Sequence, residues 1–179
     1  MATQGQTIEF QAVGRHTVRD NGQLAAHKLL RRFGIRVEGV DHWRFGRAES
    51  ANDVSRVLAQ PTALWMSRFR PTDKRLVIVE RPIDALSYEQ ANGDRSACYI
   101  AVGSLLPRQR QIIGHVLREL PAGVSVVLAF GNDDNGRRLT EQVREAARGL
   151  PVLRHCPDVG VSWNDHVRTQ ACGRLSHTA

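Results

Sequence analysis

The sequence predicts an α/β fold: a roughly four-stranded parallel sheet flanked by helices over residues 75–170, behind an N-terminal α+β extension over residues 1–74. Three observations predict it. Short apolar runs rich in β-branched residues, such as Leu76–Val79, read as strands buried on both faces. Each run is followed by a stretch with apolar residues at helical spacing, which reads as a crossover helix. The two kinds of segment alternate from Arg75 onward, and that alternation implies parallel strands with right-handed crossovers.

Before residue 75 the patterns are weaker. Residues 23–32 suit a short basic helix with Leu24, Leu29 and Leu30 on one side, and residues 52–60 a second helix stopped by Pro61. Residues 35–45 alternate loosely, as a strand or hairpin would. Trp43, Phe45, Trp65 and Phe69 are interleaved with Arg36, Arg44, Arg47, Arg68 and Arg70. Such a mixture either stacks bases and neutralises phosphates or forms a small core with a basic rim.

From Arg75 the elements follow in order. Leu76–Val79 is the first strand, and Pro82 opens the next helix at a position that needs no backbone donor. Ile83–Gln90 continues that helix and Asn92-Gly93 ends it. Ala97–Val102 reads as the second strand. Pro107 then opens a helix with Ile112, Ile113, Val116, Leu117 and Leu120 on its apolar side. A turn at Pro121-Ala-Gly123 leads to the third strand, Ser125–Phe130. Gly136–Leu150 is an amphipathic helix with Leu139, Val143, Ala146 and Leu150 on one face. Val152–His155 is the fourth strand and Trp163–Thr169 a short last helix, before a flexible tail at 171–179.

Composition narrows the function classes. The 179 residues are long enough to bury a real core, and 41% hydrophobic with 24% charged is ordinary for a globular chain. Net charge is +7, and of 25 basic residues only Lys28 and Lys74 are lysines. A basic surface draws polyanions, which makes DNA the leading partner; a GC-rich codon usage is the competing source of so much arginine. Cys98, Cys156 and Cys172 show no CxxC spacing, so neither a zinc site nor a disulfide framework is supported. The chain has no basic-then-apolar leader pattern and no run of membrane-spanning length, and a reduced cytoplasmic setting is expected, with no membrane partner.

Chemistry concentrates where two strands end. Leu76–Val79 runs into Glu80-Arg-Pro-Ile-Asp-Ala-Leu-Ser87, and the third strand runs into Gly131-Asn-Asp-Asp-Asn-Gly136. In a parallel sheet, ligands sit beyond the carboxyl ends of the strands where strand order reverses. If these two strands are neighbours, Glu80, Asp133 and Asp134 share one crevice. Hard carboxylate oxygens there could hold a divalent cation against a phosphate.

These residues resemble the Toprim domain, shared by bacterial primases, type IA and type II topoisomerases and certain nucleases. The likeness is strongest to Toprim domains of plasmid and mobile-element primases and of relaxase-associated proteins. Those read Glu-Ser-Pro-Ile-Asp-Ala-Leu-Ser, then Asp-Asn-Asp-x-x-Gly, then Asp-Trp-Asn-Asp. Here the third motif is Ser162-Trp-Asn-Asp165, so three motifs fall in the same order. The resemblance implies that Glu80 is the general acid or base, or a metal ligand, and that Asp133 is the second aspartate of a magnesium-binding Asp-x-Asp pair, with Asp134 as helper. It implies Mg2+ as cofactor, with the site degenerate at Gly131, where the first aspartate would stand. Ser162 also replaces an acidic residue. Losing a carboxylate at Gly131 makes a two-metal clamp hard to build.

Other residues carry two readings each. Arg81 either contacts a phosphate or pairs with an acidic neighbour. Asp84, in the first turn of a helix, suits work on the helix dipole better than ligation. Arg137 and Arg138 stand at the start of a helix, against its dipole, which favours a phosphate-facing role. Gly103-Ser104 borders the crevice or is a plain turn. Trp163 reads as a packing anchor and Cys156 as a structural thiol. Two functions follow: a Toprim-like, DNA-associated binding module with a weakened Mg2+ site, partnered by DNA and by a relaxase, primase or other replication or transfer protein; or an active Mg2+-dependent nucleotidyl transferase or phosphodiester-cleaving enzyme. A third class, a generic small-molecule phosphate binder, would want a glycine-rich loop after the first strand, and Glu80-Arg-Pro-Ile is the opposite.

Overall fold

A computed structural model of the chain describes residues 11–12, 64–67, 70–94 and 96–175, with side chains described at 64–67, 70–94 and 96–172. The helices expected at 23–32 and 52–60, the hairpin at 35–45, most of the interleaved aromatic and arginine residues, and residues 176–179 lie outside the described residues.

The elements run β1 (Gln11–Ala12), β2 (Trp65–Met66), β3 (Arg75–Val79), α1 (Pro82–Asn92), β4 (Ala97–Ala101), α2 (Pro107–Arg118), β5 (Ser125–Leu128), α3 (Asp134–Ala147), β6 (Val152–Arg154) and α4 (Trp163–Leu175). Among the described residues they form one six-stranded sheet in the order β1-β2-β4-β3-β5-β6. The four strands expected from residue 75 onward are all present and parallel to one another. Two further short strands extend the sheet past β4, with β2 antiparallel to β4 and β1 parallel to β2. Strands of two residues carry no alternation that a sequence pattern could reveal.

Alternation along each strand builds two cores, because successive side chains point to opposite faces. On one face Val77, Val79, Tyr99, Ala101 and Val127 pack against Ile83, Leu86 and Tyr88 of α1 and Trp163 and Val167 of α4. On the other, Leu76, Ile78, Ile100, Val126 and Leu128 pack against Ile113 and Leu117 of α2 and Leu139 and Val143 of α3. With helices on both faces, β3 is buried from Leu76 to Val79, which is why it reads as an unbroken apolar run.

The ends of the helices follow local chemistry. Pro82 opens α1, and Gly93 closes it at φ 67°, donating its N–H to the Glu89 carbonyl at 2.8 Å. At the start of α2, the Gln109 side chain accepts the Leu106 N–H at 2.6 Å. The Asp133 side chain caps α3 by accepting the Gly136 N–H at 2.7 Å. The last helix continues to Leu175, beyond the expected Thr169, so residues 171–175 of the expected tail are helical. No helix of the described residues is long and apolar enough to cross a membrane.

Candidate functional site

The sheet places the two acidic strand ends side by side. β3 and β5 are neighbours with Ile78 opposite Leu128, and the Ala129 N–H donates to the Ile78 carbonyl at 2.8 Å. The chain passes from β3 to β4 on one side and then to β5 on the other, so strand order reverses at β3. That reversal opens a crevice beyond the carboxyl ends. Gly103 lies in the turn after β4, and its N–H donates to the Glu80 carbonyl at 2.9 Å.

Glu80 is half-buried at the head of this crevice. Burial pushes its carboxyl above the ordinary value; Arg81 opposes the shift, the charges of Asp84 and Asp133 add to it, and a hydrogen bond from the Asn135 side chain opposes it. Asp133 is thus near enough for its charge to act on Glu80. Asp133, however, spends one carboxylate oxygen on capping α3. Asp134 stands in a different situation: its side chain is 98% exposed and pairs with Arg137. Among the described residues, no three His, Cys, Asp or Glu side chains are gathered as a metal would need. The carboxylates left to meet a magnesium ion are Glu80 and the free side of Asp133, so water or phosphate oxygens would have to fill the rest of its shell.

Gly131 explains part of this. A Cβ built there would lie 2.8 Å from the Val161 carbonyl oxygen and 3.4 Å from Asp133 Oδ1. The same carbonyl accepts the Asn132 N–H at 2.7 Å. The segment before α4 therefore closes over the β5–α3 loop where an aspartate side chain would begin. Gly136 is still more confined, since a Cβ there would meet the Gly131 carbonyl oxygen at 2.0 Å. The loop folds back so tightly that only glycine fits at its second end.

Arg154, at the end of β6, holds this loop and was not singled out from the sequence. Its guanidinium donates to the Gly131 carbonyl at 2.9 Å, the Gly136 carbonyl at 2.9 Å and the Thr140 hydroxyl. An arginine closing a three-residue strand was the available signal. Asn135, lying between the acidic pair and Gly136, was likewise overlooked, although it reaches both Glu80 and Arg138.

Of the three arginines expected to meet phosphate, Arg137 and Arg138 are exposed on the first turns of α3. Arg137 pairs with Asp134, and Arg138 donates to Asn135 at 2.6 Å and Gln142 at 3.0 Å. Arg81 is engaged differently: Nε donates to Asp84 Oδ2 at 2.9 Å and Nη2 to Oδ1 at 3.2 Å. Asp84 itself is buried. Burial drives its carboxyl upward, with Arg81 and backbone donors from Asn164 and Arg81 working against that. Asn164, of the third motif, donates to the Ser87 hydroxyl at 3.1 Å, so α4 is tied to α1 beside the crevice. Asp165 accepts the Ser162 hydroxyl at 2.8 Å and the Ser162 N–H at 3.1 Å. Trp163 is a packing anchor: it is buried and meets Tyr88, His155 and His166 edge-on.

A parallel sheet covered on both faces, an acidic crevice at its switch point and three motifs in order define a Toprim-type domain. The family model described as Toprim-like matches residues 77–167, and the chain belongs to that family. No curated protein matches the chain in sequence. Among solved structures, the primase fragment of the bacteriophage T7 primase-helicase protein is similar at 14% identity and a TM-score of 0.45, covering 60% of this chain and 44% of that one. The primase domains in a structure of bacteriophage T7 lagging-strand DNA polymerase, bound to an RNA/DNA hybrid and dTTP, are similar at 18% identity and a TM-score of 0.42, covering 60% of this chain and 54% of that one. The chain thus spans about half the length of these structures.

Proposed function

We propose that this is a DNA-associated Toprim-like module of plasmid or mobile-element type, with a weakened magnesium site and a role in holding nucleic acid or a replication or transfer protein. One observation carries the reading: at the position of the first Asp-x-Asp carboxylate the chain has Gly131, and the Val161 carbonyl fills the space beyond it. A bound magnesium ion would neutralise phosphate charge. For that, Glu80 and Asp133 would be its carboxylate ligands, with no third carboxylate from Asp134 in its present pose. The chain's own contribution to nucleic acid is positive charge. Arg137 and Arg138 lie exposed at the rim of the crevice, and their pairings are of the exposed kind that contributes little and is readily exchanged for phosphate. Arg81 adds charge rather than a two-pronged grip, because Asp84 already takes its fork.

Fluorescence anisotropy against labelled single-stranded and duplex DNA tests this reading. Affinity should fall linearly on a logarithmic salt axis, and Arg137→Ala with Arg138→Ala should reduce the slope by about one phosphate contact each. Salt-independent binding, or none at low salt, would remove DNA as the partner.

A second reading, an active enzyme of nucleotidyl transfer or phosphodiester cleavage, is favoured by Glu80. Its carboxyl is raised by burial, the direction in which a carboxyl must move to serve as a general acid. Primer-synthesis and nuclease assays with Mg2+ and Mn2+, compared with Glu80→Gln, decide between the two.

A further inference from the structure

Resting on the reading of the crevice as a weak cation site, we propose that the Arg81 guanidinium is the crevice's own cation, standing among its carboxylates and keeping its affinity for a divalent ion low. Arg81 is the residue before Pro82, with extended backbone and no side-chain capping bond. Its side chain lies across Asp84, in the first turn of α1, as a bidentate fork at 2.9 and 3.2 Å. Asp84 is 3% exposed, so swinging the fork away would strand a buried carboxylate without its counter-charge. That fixes the guanidinium in place far more firmly than an exposed pair would.

Two more carboxylates lie near enough for their charge to act on the same group: Glu80, its neighbour in sequence, and Asp165 of α4. Burial works against the charged guanidinium, and the charges of Asp84, Glu80 and Asp165 work for it. Conversely, Arg81 is the foremost influence opposing the upward push on Glu80, while Asp84 and Asp133 add to that push. One guanidinium thus serves Glu80, Asp84 and Asp165, which come from the β3–α1 junction and from α4. A divalent ion drawn to Glu80 and Asp133 must approach a positive charge that cannot retreat. Lysine would not do the same work, because a single ammonium cannot match both oxygens of Asp84.

Manganese titration by calorimetry on the full chain tests this. Arg81→Gln should tighten Mn2+ binding by about tenfold or more, the effect of removing a like charge within several ångströms of the ion. Adding Glu80→Gln should abolish the gain. Because Arg81→Gln leaves Asp84 unpaired and could fail to fold, Arg81→Gln with Asp84→Asn removes the buried pair together; it should still tighten Mn2+, though less. Unchanged or weaker Mn2+ binding in these variants, with cooperative melting retained, overturns the proposal. In that event Glu80→Gln in the otherwise unaltered chain separates the two ideas. If it weakens Mn2+ binding, the weak-site reading stands without Arg81's role; if it has no effect, both fall.

Discussion

Glu80 shows how one residue carries both folding and function. Its carboxyl is held above the ordinary value, chiefly by burial, so the folded chain keeps its proton more tightly than the unfolded chain does. Its support for the fold is therefore present at acid pH and is lost as pH rises through the raised value. Glu80→Gln should accordingly raise the melting temperature at pH above the raised value and flatten its fall as pH rises through it. A lower melting temperature would mean that Asn135 and Arg81 stabilise the charged form more than burial opposes it. By the same reasoning, Mn2+ binding through Glu80 should weaken as pH falls through the raised value, because proton and ion compete for one carboxylate. Gly131 makes the opposite lesson. The sequence identifies the missing ligand there, but not the Val161 carbonyl that approaches from the segment before α4. Gly131→Asp should therefore lower stability by about 1–3 kcal/mol, the usual range for overpacking, measured by denaturant unfolding. Unchanged stability would show that the covering segment yields easily.

Between elements, the β5–α3 loop is where the helix cap and the proposed ligand are the same side chain. Asp133 caps α3, and its charge acts on Glu80. Asparagine caps as well as aspartate does, whereas alanine loses about 1 kcal/mol. Asp133→Asn should thus melt like the unaltered chain yet bind Mn2+ more weakly, while Asp133→Ala should lose both. Equal metal binding in Asp133→Asn would exclude Asp133 as a ligand. Much of this level was legible in sequence. Pro82, Asn92-Gly93 and Pro107 mark helix ends by backbone chemistry that hardly depends on tertiary context, and α1 and α2 begin at those prolines. The extent of α4 was not legible, because the one glycine that follows Thr169, Gly173, lies within the helix and does not mark its end. Nor was the place of Arg154: bonds from a strand end to two carbonyls of a distant loop leave no periodic trace.

Across the whole molecule, order of motifs gave the architecture, because alternating strands and helices admit few topologies. The two cores also set which thiol can react. Cys98 lies buried on β4 and burial pushes its thiol up to about 11, with Ser67 opposing the shift, whereas Cys172 is exposed on α4. Titration with a thiol reagent in native buffer should modify Cys172 first and Cys98 only on unfolding; rapid loss of Cys98 would mean that the β2 side of the sheet opens.

That side has one more consequence. The family match begins at residue 77, but β4 is covered on its outer side by β2, and the Ser67 N–H and hydroxyl tie to Tyr99 at 2.9 and 2.8 Å. A chain trimmed to the matched residues would bare a row of unpaired backbone groups along an apolar strand. Such an edge recruits the edges of its neighbours. The 76 residues ahead of the matched stretch thus include the piece that keeps it from sticking to itself.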